Sequence, residues 1–124
     1  MTVYMVIEKY DNGEEYEDRR THAETIKLCP TKEKAINYIK EIEFPVNERE
    51  QLYSNSASVK RWNVVKELDN STDVYYESDS EEVIRTVGII KCEIYKSSNG
   101  EECEWEDDME YYQYTIREME MEMP

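Results

Sequence analysis

Val3, Met5 and Ile7 alternate with Tyr4, Val6 and Glu8, and the chain then reads Asp11-Asn12-Gly13. A period of two in apolar, β-forming residues marks a strand, and Asn-Gly marks a tight reversal because both residues tolerate positive φ. Residues 2–10 are therefore predicted to pair with a return strand over 15–28. The device recurs later: TVGIIKCEIYK over 86–96 runs into Asn99-Gly100, and a partner strand starts at 101 and reaches Ile116. Hairpins at both ends confine the chain to an antiparallel sheet.

Between the hairpins the periodicity changes. Pro30 breaks the ladder, Thr31 can cap a helix, and Ala35, Ile36, Ile39 and Ile42 repeat at helical spacing through Glu43. Pro45 stops that helix, and a short second helix is expected over 46–53. Residues 59–68, VKRWNVVKEL, fit either period and are read as a strand; residues 69–82 read as an acidic loop. The predicted fold class is α+β: an antiparallel β-sheet built from hairpins, with one or two helices packed on one face. A single domain is expected over 1–117, with 118–124 as a C-terminal tail.

Charge restricts what such a domain can meet. The net charge is −15, and it is uneven: residues 1–62 carry 12 acids and 10 bases, residues 63–124 carry 18 acids and 5 bases. From Glu67 to Ile84, and again from Ser97 to Ile116, seven acids occur with no base. Such a field repels nucleic acid, anionic membranes and phosphate substrates and attracts basic proteins. No stretch is long and apolar enough to span a membrane as a helix. The opening MTVYMVIEKYD is too soon charged for a secretory signal. Three cysteines without a CxxC pair suit a reducing compartment, so a cytoplasmic location is expected.

Motifs for chemistry are missing. The only histidine is His22, three glycines serve the whole chain, and no GxSxG, GxGxxG or P-loop occurs. A non-enzyme without cofactors is expected. Asp69, Ser71 and Asp73 imitate the start of a calcium loop, but Val74 and Ser80 occupy the positions that need Gly and Glu. His22, Cys29, Cys92 and Cys103 are zinc-ligand types without paired spacing, so no metal site is predicted. A turn centred between Asn99 and Gly100 would set Cys92 opposite Asp107, not opposite Cys103, so free thiols are expected.

The acidic blocks carry the functional reading. Residues 101–112, EECEWEDDMEYY, place seven carboxylates among aromatic side chains. On a strand Glu102, Glu104 and Glu106 share one face about 6.6 Å apart, twice the roughly 3.4 Å step per phosphate along one DNA strand. The candidate partner-binding residues are Glu101, Glu102, Glu104, Glu106, Asp107, Asp108, Glu110 and Tyr111, with Asp73, Glu77, Asp79, Glu81 and Glu82 from the earlier block. Trp105, alternating with the glutamates beside Cys103, is expected to fill the core, with a partner-facing anchor as the other possibility. Acids that only keep an edge soluble are the plainer alternative.

Small size, acidity, the α+β reading and the lack of catalytic motifs together resemble small phage-encoded proteins that disable host machinery, such as DNA mimics and anti-CRISPR proteins. The resemblance is one of type over the whole chain and rests on no shared motif. It implies an inhibitor that occupies a nucleic-acid-binding or regulatory site on a basic host protein. The alternative is an adaptor that binds through its less charged N-terminal sheet–helix body, around Lys32, Lys34 and Lys40.

Overall fold

A computed structural model describes residues 1–53, 55–72, 74 and 81–122. Its strands are β1 (Thr2–Asp11), β2 (Thr21–Cys29), β3 (Arg49–Leu52), β4 (Ser58–Leu68), β5 (Glu82–Lys96), β6 (Glu102–Glu106) and β7 (Glu110–Glu120). One α-helix, α1 (Lys32–Lys40), follows β2. All pairings are antiparallel, in the order β2-β1-β7-β5-β4-β3, with β6 also paired to β5. The sheet curls into a half-barrel. This is a mainly-β fold, which corrects the α+β expectation: only one short helix forms, and strands dominate the chain.

The correction has local causes. Thr31 caps α1 as predicted, accepting from the Lys34 amide at 3.2 Å, but the helix closes at Lys40 rather than Glu43. Residues 49–52, expected to be helical, instead pair with Ser58–Arg61 as an edge strand. The Asp11-Asn12-Gly13 stretch opens a nine-residue connection rather than a tight turn. There the Asn12 side chain accepts from the Glu14 and Arg20 amides and donates to the Asp18 carbonyl. That set of local bonds competes with the two-residue reversal and wins. β4 and β5 form where strands were expected. β7 runs through Glu120, with Thr2 and Val3 facing Glu120 and Met119.

Both faces of the central strands are covered. On one, Val6, Tyr114 and Ile116 pack with Cys29 and with Ala35 and Ile39 of α1. On the other, burial is largely polar: Lys9 pairs with Glu81 at 2.6 Å, Thr115 donates to Glu81, and Gln113 donates to Thr86 and to the Thr72 carbonyl. The Met109 side chain packs against Gly88, where a Cβ would force its sulfur to shift. Buried polar groups are tolerated because they are paired.

Arg85 links the layers. It follows a register shift in β5, donates to the Ile39 and Ile42 carbonyls at the end of α1 at 3.0 and 2.7 Å, pairs with Glu67 on β4, and lies over the Phe44 ring. Hydrogen bonds to a charged group contribute about 1.5–3 kcal/mol, and loss of the guanidinium takes the donor from the Ile42 carbonyl just past the helix, while the Ile39 carbonyl keeps the Ile42 amide at 3.3 Å. Arg85→Met is therefore predicted to destabilise the fold by about 2–3 kcal/mol in urea denaturation. Arg85→Lys recovers only part of this, because an ammonium lacks the planar fork.

Candidate functional site

β6 turns back along β5 through a three-residue hairpin loop. The Ser97 amide donates to the Glu101 carbonyl at 2.8 Å, and Gly100 takes φ 88°. Asn99 is not in the left-handed region, so the loop is not the two-residue type that needs two positive φ values. The register moves by one residue as a result. Cys92 faces Glu106, not Asp107, and Cys103 faces Tyr95. Cys29, Cys92 and Cys103 are free thiols, the first two buried. Burial, then the charges of Glu106 and Asp107, raises the Cys92 thiol pKa.

β1 ends at Asp11, opposite Tyr111 of β7, so among the described residues β6 pairs with β5 alone. Among the described residues nothing pairs with its outer backbone edge, and every residue of β6 is exposed. Here the structure gathers six of the predicted residues: Glu101, Glu102, Glu104, Glu106, Asp107 and Asp108 are all exposed. Among the described residues, Glu102 pairs with Lys96 at 3.8 Å, whereas Glu101, Glu104, Glu106, Asp107 and Asp108 form no ion pair. Glu110 turns inward to Lys91 and the Tyr10 hydroxyl, whose pKa burial and the Glu110 charge push up to about 12.

Other predicted residues lie elsewhere. Tyr111 sits half-buried between β1 and β5. Glu81 has a side chain only 7 % exposed, because its carboxylate is committed to Lys9. Glu82 is bound to Lys32 of α1 at 2.6 Å, which also engages one of the lysines expected to serve the N-terminal body. Asp73, Glu77 and Asp79 fall outside the described residues. In the calcium-like stretch, the Ser71 amide donates to Asp69 and holds its carboxyl below the usual range.

Trp105 is not in the core; it is 52 % exposed. Alternation does place it on the face that carries α1, but β6 extends past the helix and the ring stays about half in solvent. Across the strands it stands in a row with Glu93 and Arg61, which are joined at 2.9 Å. Beside this row lies an open cleft of about 530 Å³, bordered by Trp105, Arg61, Lys91, Asp107 and Asn47. Of these, Arg61, Lys91 and Asn47 were not legible in sequence, because the contact depends on the 41–48 segment crossing the sheet to bring the Val46 carbonyl to the Asn63 amide. The cleft joins an aromatic face to polar groups of both signs.

At the other edge of the sheet, Glu8, His22 and Glu24 are the described residues whose ligand types cluster closely enough to hold a metal. No described helix is long and apolar enough to cross a membrane. The chain matches no family model, no curated protein and no solved structure.

Because Trp105 is half in solvent at a sheet edge, Trp105→Ala is predicted to cost less than about 1 kcal/mol in thermal unfolding, against about 3–5 kcal/mol for a core Trp. A loss in the core range would show instead that the ring contributes to the packed core.

Proposed function

We propose that this protein is a non-enzymatic binding protein that docks β6 and residues 107–108 onto a basic surface of another protein, with Trp105 as apolar anchor. The observation that carries the reading is the pairing of a wholly exposed edge strand with five carboxylates that, among the described residues, have no cation partner. An edge strand can be kept soluble by fewer charges than this. Surface acids left without partners, beside an exposed Trp, fit a surface shaped for a cationic ligand.

The energetic division follows from exposure. Each rim carboxylate contributes roughly 0–1 kcal/mol in water, while an aromatic anchor buried on binding contributes about 2 kcal/mol or more. The acids would steer and orient the encounter, and Trp105 would hold it. Alternate glutamates at twice the phosphate step favour a partner whose basic surface is built for nucleic acid. Occupation of that surface would make the protein an inhibitor of a nucleic-acid-handling host protein, the role that the acidic phage-encoded inhibitors suggest by type.

Affinity capture from a host lysate, repeated with a variant carrying Glu104→Gln, Glu106→Gln, Asp107→Asn and Asp108→Asn, tests the reading. The parent is expected to retain a basic protein at low salt and release it at high salt. The variant is expected to lose it while keeping its fold. Capture that survives both high salt and the four substitutions would transfer the interface to the N-terminal body.

A further inference from the structure

The β1–β2 ladder brings together side chains that a sheet has no structural reason to combine. Glu8 faces Glu24 and Tyr10 faces His22 across it; on the other side of β1, Glu8 faces Tyr114 and Tyr10 faces Tyr112. Side chains directly opposite on neighbouring strands share a face, so these residues make two adjacent rows of three. The diagonal from His22 to Glu8 and the step from His22 to Glu24 then close a triangle. The ligand atoms of Glu8, His22 and Glu24 all lie within 4.8 Å of one another.

Like charges directly opposite on paired strands are destabilising. Among the described residues neither Glu8 nor Glu24 forms an ion pair that would relieve their repulsion. The surroundings nonetheless hold the group in place. Tyr114, 1 % exposed, donates to Oε2 of Glu8 at 2.8 Å and leaves the other oxygen for a ligand. The Tyr10 ring packs 5.1 Å from the His22 ring and limits its rotation. Metal-ligating side chains are commonly oriented in this way by outer hydrogen bonds.

We propose that Glu8, His22 and Glu24 bind a divalent first-row transition-metal ion, with Zn²⁺ the best fit. One imidazole nitrogen and two carboxylate oxygens suit that ion, and the two negative charges neutralise it. Magnesium and calcium prefer shells made wholly of oxygen and fit a histidine site poorly. His22 and Glu24 are exposed and Glu8 is half-buried, so the outer two can swing inward to bonds of about 2.0–2.2 Å. Three protein ligands leave a position for water or for a donor from a partner. Occupied, the site staples the edge strand β2 to β1.

Thirty acidic residues will also collect cations loosely, and the exposed Cys103 is a competing zinc ligand. The test therefore uses the full chain with Cys103→Ser, freed of metal, titrated with ZnCl₂ calorimetrically in excess Mg²⁺. One equivalent is expected to bind and to raise the thermal midpoint. His22→Ala and Glu24→Gln, both at exposed positions, are each expected to weaken binding at least about tenfold and to abolish the thermal shift; Tyr114→Phe is expected to weaken it by about tenfold through the lost orienting bond. The Co²⁺ complex is expected to show nitrogen and oxygen ligation without thiolate charge transfer. Binding that does not saturate at one equivalent, or that is the same in His22→Ala as in the parent, would overturn the proposal.

Discussion

The guanidinium of Arg85 is the constraint on which the rest of the arrangement depends. A helix leaves its last carbonyls without partners, and its C-terminus favours a positive charge. Arg85 meets both needs from the sheet side and anchors its remaining donors on Glu67. With the end of α1 fixed, Phe44 lies between the guanidinium and the rings of Tyr112 and Tyr114. The chain then passes Pro45 and reaches β4, where the Val46 carbonyl meets the Asn63 amide and Asn47 borders the cleft beside Trp105. One cation thus positions the helix on the core and sets the wall of the surface proposed to bind.

A chain with 39% hydrophobic residues cannot cover both faces of a seven-stranded sheet with apolar side chains alone. It uses them where α1 packs, and it lines the opposite face with satisfied polar groups, the Lys9–Glu81 pair among them. Buried pairs of this kind contribute little net stability but are costly to break singly. The remaining acids collect where burial is least. β6 projects beyond the end of β1, so it has water on its outer edge and on both faces, and charge there carries no desolvation cost.

Much of the sheet was legible in the sequence because local signals and tertiary need agreed. The alternation of residues 2–10, the Thr31 cap and the apolar run of 86–96 each specify an element that forms. The misreadings have physical causes. Pro45 reads as a break between two helices, but residues 49–52 pair with β4, and that pairing is non-local. Asn12-Gly13 and Asn99-Gly100 share a dipeptide yet make a nine-residue connection and a three-residue loop, since side-chain bonds of Asn12 and Ser97 decide the outcome. Alternation gave Trp105 the correct face; it could not reveal that the helix stops short of it. Composition marked the acids of 101–108, which are exposed, together with Glu81, which is buried against Lys9 seventy-two positions away. His22 looked isolated for the same reason, as Glu8 joins it only through strand pairing.

The central claim is that contact is made at β6 and not at the body of the sheet. Amide hydrogen exchange on the protein, alone and in complex with the partner that it captures, tests this most directly, since exchange reports which backbone becomes covered. The account predicts slowed exchange across residues 101–108 and along β6, with β2 and α1 unchanged. Protection confined to β2 and α1, with residues 101–108 exchanging as freely as in the isolated protein, would contradict it.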